Sequence, residues 1–232
     1  MGYYPILLDL ADKPCVVVGG GEVATRKVEG LLSCGAKVRV VAPEITRKLQ
    51  ELVDTDRIVW ISRPYLSGDL RQAWLVIGAT NDEAVNRQIY ADCKENGTLC
   101  NIADRPECCE FILPSVIRRG DLVVAISTSG KSPAFAKTLR KRMEKEFGAE
   151  FEVFLKLMGV IRKRLLAEAH EPEAHKHVFE KLIDQGLLDR IRDGDVDHID
   201  GILAEVLGNG YRFEELLSQS VDVADQPSGA VR

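Results

Sequence analysis

Residues 15–27, CVVVGGGEVATRK, constrain the fold more than any other stretch of the chain. An apolar, β-branched run meets three glycines and passes directly into apolar residues at helical spacing, which predicts strand, tight turn and helix. The pattern then repeats. AKVRVVAPE reads as a second strand, TRKLQELVDTD as a helix and RIVWISR as a third strand, while AWLVIGATND and TLCNIAD flank the helix DEAVNRQIYADCKENG. Strands alternating with helices of about ten to fifteen residues imply parallel βαβ units. Such strands are covered on both faces, which accounts for their nearly continuous apolar runs. The expected architecture over residues 1–113 is an α/β, doubly wound parallel sheet of Rossmann type.

Gly19, Gly21 and Ala24 stand in G-x-G-x-x-A spacing inside the first strand–turn–helix. In a dinucleotide site the first glycine permits the turn, the second lets a pyrophosphate approach the backbone, and the small third residue brings helix and strand together. The free N–H groups at the helix start then face the phosphates. The alternative is a glycine turn that serves packing alone. After the second strand, Glu44 is placed to accept from adenosine ribose hydroxyls and so to favour NAD, whereas Arg47 and Lys48 are placed to receive a 2′-phosphate. Asn81 and Asp82 follow the fourth strand. Either can cap the next helix, and Rossmann topology puts Asn81 beside the nicotinamide half of the cofactor.

Beyond EFILPSVIRRGDLVVAIST the chain reads as helix: PAFAKTLRKRMEKEFG, AEFEVFLKLMGVIRKRLLAEA, EAHKHVFEKLIDQG and VDHIDGILAEVLG. The expected divisions are a segment with a basic helix over 114–148, an all-helical domain over 149–217 and a flexible tail without periodicity over 218–232. Within AISTSGKSPAFAKTLRKR, Gly130-Lys131-Ser132 looks like the end of a P-loop. Ala125 stands where its first glycine belongs, and Pro133 has no N–H to offer a phosphate. Ser132 as N-cap with Pro133 at the first helical position is the better reading. The chain as a whole has a formal charge of −5, which argues against a dedicated nucleic-acid binder. Residues 114–147 nevertheless hold eight Lys/Arg against three acids, so an anionic partner is expected there.

VVVGGGEVATRKVEGLLSCGAKVRVVAPE, VIGATNDEAVN and CNIADRPECCEFILPSVIRRGDLVVAISTSGKSPAFAKTLRKRME together resemble the precorrin-2 dehydrogenase/sirohydrochlorin ferrochelatase family, which includes part of sirohaem synthase. The likeness covers residues 4 to 215. It implies a stand-alone enzyme, without the uroporphyrinogen methyltransferase domain, that oxidises precorrin-2 to sirohydrochlorin with NAD. In some members ferrous iron (Fe2+) is then inserted at the same site. It also implies a homodimer built through the segment after the Rossmann domain. Carried over residue by residue, Glu22, Val23, Pro43 and Glu44 match cofactor contacts and Asp104 matches the catalytic aspartate. Thr128 falls where some relatives carry a serine. The loop Thr128-Ser129-Gly130-Lys131-Ser132 is a suitable cradle for substrate carboxylates.

The residues alone leave Asp104 open between a base at the sheet's carboxyl edge and a cap of the turn into RPE. The six cysteines form no C-x-x-C pair, so no metal site is expected, and Cys108-Cys109 are read as packing against the sheet edge. His170, His175 and His177 are read as a solvated helix junction. No stretch reaches the ~18 apolar residues of a membrane span, and the first residues lack a signal-peptide pattern, so no membrane partner and a cytoplasmic location are expected. Two other functions compete. A non-catalytic NAD-sensing domain would not need NIAD or the Ser-Thr-Gly loop. An oxidoreductase for a small hydroxy acid would want a histidine or lysine acid/base, and no histidine precedes residue 170.

Overall fold

The computed structural model describes residues 2–168 and 172–221. They fall into two compact units, one running to Leu113 and taking in Ser129–Lys131, the other built from Pro114–Thr128 and from Ser132 onward.

In the first unit, β1 (Pro14–Val18), β2 (Lys37–Val41), β3 (Ile58–Ile61), β4 (Leu75–Gly78) and β5 (Leu99–Ile102) form one parallel sheet in the order β3-β2-β1-β4-β5. The crossovers are α1 (Glu22–Leu32), α2 (Arg47–Asp54) and α3 (Glu83–Asn96). Alternation along β1 explains why both faces are covered. Cys15 and Val17 pack with Ala24, Val28 and Leu31 of α1, while Val16 and Val18 pack with Ile89 and Cys93 of α3. The direction in which successive strands are added reverses between β1 and β4, the switch point at which open α/β sheets hold ligands. The register pairs Val18 with both Val41 and Gly78, and Gly78 with Ile102. The segments that follow four strands therefore emerge at one edge: the glycine turn, Pro43-Glu44, Ala79–Asn81 and Ala103-Asp104.

The second unit opens with the antiparallel pair β6 (Ser115–Arg119) and β7 (Leu122–Ile126). Their two-residue turn uses the left-handed φ of Gly120 (+55°). After α4 (Pro133–Met143), helices α5 (Glu150–Glu168), α6 (Pro172–Asp184), α7 (Leu187–Asp193), α8 (Val196–Leu207) and α9 (Phe213–Val221) enclose a core of Leu157, Ile161, Leu182, Leu187, Ile199, Leu203, Tyr211 and Leu216. Helix α9 runs four residues into the stretch read as aperiodic. Leu216 on its buried side explains this, because a single anchored residue fixes a turn that carries no visible repeat. Residues 222–232 and His170 lie outside the described residues.

Candidate functional site

The three glycines of the first turn have three different neighbourhoods. Gly19 has φ +120°, and a Cβ there would collide with the Ala79 carbonyl at the tip of β4. A Cβ on Gly20 would collide with the Glu44 carbonyl, and the Gly20 carbonyl accepts from Thr46 N–H at 2.9 Å. These two glycines let three strand tips converge. Gly21 is different: it is exposed, and nothing lies within 4 Å of the position its Cβ would take. The protein itself does not require glycine there. Gly21 is also the N-cap of α1 and supplies no side-chain hydrogen bond, so the first-turn N–H groups have no side-chain cap. A cradle that a Cβ would fill, in front of an uncapped helix start, fits a pyrophosphate.

The turn opens on a cleft of ≈ 700 Å³. Gly19, Gly21, Glu22, Val23, Pro43, Glu44 and Asn81 all line it, joined by Tyr65, Thr80 and Val85. Arg47 and Lys48 do not line the cleft; Arg47 pairs with Glu51 at 3.1 Å and Lys48 pairs with Glu29. The helix cap is Asp82, whose Oδ1 accepts from Ala84 N–H at 2.9 Å and Val85 N–H at 3.1 Å. Asn81 is left facing the cleft. Tyr65 is fixed by donating its hydroxyl to buried Asp92 at 2.6 Å, and burial followed by that carboxylate pushes the phenol's pKa upward. Tyr65 comes from the loop after β3, and no sequence motif announces it.

Asp104 occupies the turn after β5. Arg105 N–H bonds back to the Ile102 carbonyl at 3.2 Å, and Asp104 is left-handed with φ +60°. Aspartate takes this conformation more readily than most residues, and the turn residues Asp12 and Asp56 adopt it as well. The carboxylate is exposed and, among the described residues, has no hydrogen-bond or ion-pair partner. The short 3₁₀ turn Pro106–Cys108 begins at Arg105 without a side-chain cap, so Asp104 does not cap the turn into RPE. Cys109 closes the loop from the other side. Its thiol accepts from Ile102 N–H at 3.3 Å and lies 3.1 Å from the Arg105 carbonyl. The sulfur thereby occupies an outward N–H of an edge strand, and Cys108 packs on the core under α3. Lys27 of α1 lies within electrostatic range of both Asp104 and Cys109.

The loop before α4 is held by its own groups. Ser129 and Gly130 are both left-handed (φ +52° and +78°), Thr128 Oγ1 accepts from Ser132 N–H at 3.1 Å, and Ser132 Oγ accepts from Phe135 N–H at 3.2 Å. Pro133 follows as the first helical residue. Lys131 is exposed. In the basic stretch Arg119 is structural, donating to the Phe147 carbonyl at 2.7 Å, and Arg140 pairs with Glu144. Among the described residues no three His, Cys, Asp or Glu side chains converge as metal ligands, and no helix is long and apolar enough to cross a membrane.

Comparison with known proteins adds a second line of observation. Residues 6–115 match a family model described as NAD(P)-binding, and residues 119–146 match one described as the central part of a sirohaem biosynthesis protein. A sirohaem synthase of Nitrosococcus oceani is 35% identical over 215 residues, 93% of this chain and 46% of that protein. Siroheme synthase 1 of Yersinia enterocolitica is 43% identical over 144 residues, 62% of this chain and 30% of that protein. The chain thus spans less than half the length of these relatives. Among solved structures, SirC, a precorrin-2 dehydrogenase, superposes with a TM-score of 0.64 at 26% identity, covering 95% of this chain and all of that one.

Proposed function

The chain belongs to the precorrin-2 dehydrogenase/sirohydrochlorin ferrochelatase family, and from that membership we propose that it oxidises precorrin-2 to sirohydrochlorin with NAD. The observation that carries this reading is the pairing, within one unit, of an uncapped helix start at open Gly21 with an exposed carboxylate, unpartnered among the described residues, at the same sheet edge. NAD supplies the hydride acceptor. The chain's own residues do the rest. The α1 N–H groups and Gly21 seat the pyrophosphate, Glu44 accepts from the ribose hydroxyls, and Asn81 borders the nicotinamide side. Asp104 takes the proton that leaves the tetrapyrrole as its hydride departs. Thr128, Ser129, Gly130, Lys131 and Ser132 contribute to substrate binding, with Lys131 the cation of the set.

The same carboxylate is the group that would receive pyrrole protons displaced by ferrous iron, so insertion of iron is a second activity to be assayed. The working form is a homodimer. What supports it is that β6 and β7 pair only with each other among the described residues, leaving two outer strand edges of the kind that can add a strand from a second copy.

The test mixes the protein with enzymatically made precorrin-2 and NAD under anaerobic conditions and follows NADH together with the sirohydrochlorin spectrum. Absence of NADH would sink the reading. Asp104→Ala should lower kcat by about a thousandfold, within the range for loss of a general base, and leave NAD affinity unchanged. Normal turnover in that variant removes Asp104 from the mechanism.

A further inference from the structure

Tyr65 sits on the loop after β3, and that loop is tied down around it. Arg63 donates to both carboxylate oxygens of buried Asp69, at 2.8 and 2.6 Å, and Leu66 N–H donates to the same carboxylate at 2.8 Å. These charge-assisted bonds flank Tyr65 on both sides in sequence and fix its backbone. The side chain is fixed too. Its hydroxyl donates to Asp92 Oδ2 at 2.6 Å, Gln88 donates to the other oxygen of that carboxylate at 2.7 Å, and the ring packs on the apolar cluster that holds Val41, Leu70 and Ile89. Yet the residue is only half-buried, and it lines the cleft with Pro43, Pro64 and Val85. A tyrosine needed only for packing and for Asp92 has no reason to open on a cleft. A rigid aromatic wall suits a flat ligand ring, because little freedom is lost when the ring is covered.

Strand order decides which ring. In β3-β2-β1-β4-β5 the glycine turn follows the central strand, Glu44 comes after its neighbour β2, and Tyr65 comes after β3 beyond that. Asp104 lies the other way, after β5. The tips of β3 and β5 are four strand spacings apart in the sheet order, about 19 Å. A ring resting on Tyr65 is therefore not the ring that reacts beside Asp104. A dinucleotide carries its pyrophosphate in the middle and a base at each end. With the pyrophosphate at Gly21 and one ribose at Glu44, the base beyond that ribose arrives at Tyr65.

We propose that the Tyr65 ring is the stacking platform for the adenine base of the dinucleotide, held in place by Asp92 behind it and by the Arg63–Asp69 pair around it. The inference rests on the reading of the cleft as an NAD site, and it adds the base subsite that the glycine spacing leaves unspecified. The ring contributes affinity, while the hydroxyl positions the ring and does not touch the cofactor. The two parts of the side chain can therefore be removed separately.

The experiment compares wild type, Tyr65→Leu and Tyr65→Phe by isothermal titration with NAD and with ADP-ribose, which keeps the adenine and lacks the nicotinamide, and by melting temperature. Tyr65→Leu should weaken both ligands by the same factor, about tenfold, within the range for loss of base–aromatic stacking. Tyr65→Phe should hold both affinities within about threefold of wild type. Both variants should melt lower than wild type, because each leaves buried Asp92 without the hydroxyl. A destabilised variant that keeps its affinity thus separates the ring from the fold. Weakening of NAD without weakening of ADP-ribose would put the nicotinamide on Tyr65 and overturn the proposal. Equal loss in Tyr65→Phe and Tyr65→Leu would make the residue a structural support and overturn it too, as would unchanged affinity in Tyr65→Leu. Failure of the underlying reading shows separately, as wild-type protein that binds neither NAD nor ADP-ribose.

Discussion

Both β1–α1 and β7–α4 pass from an apolar strand through glycine into a helix, yet the two helix starts are completed differently. At α1 the N-cap is Gly21, no side chain reaches the first-turn N–H groups, and the turn opens on the cleft. At α4, Ser132 takes the Phe135 N–H, Thr128 takes the N–H of Ser132 itself, and Pro133 has no N–H to satisfy. The first start has no side-chain cap for its N–H groups, whereas the second is capped by Ser132. Glycine and lysine content does not separate the two. The residue at the N-cap does, and this is why the near-match to a P-loop at Gly130-Lys131-Ser132 is not a phosphate site.

The sharpest way to break this contrast is Gly21→Ala. A methyl group there meets no protein atom, so the melting temperature should stay within about 2 °C. The dissociation constant for NAD should rise about a hundredfold, equivalent to about 2.7 kcal/mol at 1.36 kcal/mol per decade. Isothermal titration and a thermal melt on the same sample decide it. Unchanged NAD affinity would mean that the glycines serve packing alone. Gly19→Ala supplies the opposite control, because the new Cβ would press on the backbone of Ala79, where overpacking costs about 1–3 kcal/mol of stability.

The contrast also shows what could be read from sequence. The parallel sheet was legible because strands buried on both faces must be apolar throughout and must be separated by helices. Gly19, Gly21 and Glu44 were legible because their spacing is local. Asp104 was ambiguous, since a turn aspartate usually caps; its left-handed φ and its lack of a partner among the described residues appear only in three dimensions. The short helices α7 and α9 have too few turns for a period to emerge, and their shape comes from packing around Leu187 and Leu216.

Ser132→Ala tests the other side of the contrast with a smaller effect. Losing an N-cap should cost about 1 kcal/mol, read by denaturant titration, while NAD affinity stays as in wild type. If Ser132→Ala weakened NAD binding as strongly as Gly21→Ala, the two helix starts would not differ in the way described.

The smallest expected effect is at Lys131. With Phe135 N–H taken by Ser132 and Pro133 carrying no N–H, the electrostatic contribution of this loop to an acidic substrate falls largely on the exposed Lys131 ammonium. An exposed charge acting through solvent is worth little, so Lys131→Glu should raise KM for precorrin-2 only about three- to fivefold. Added salt should shrink the difference, because screening shortens the reach of a surface charge. KM for NAD should not move, since the proposed seat of the dinucleotide is the other turn, at the start of α1. A larger rise in KM for NAD than for precorrin-2 would remove Lys131 from the substrate side and return the loop to a structural turn.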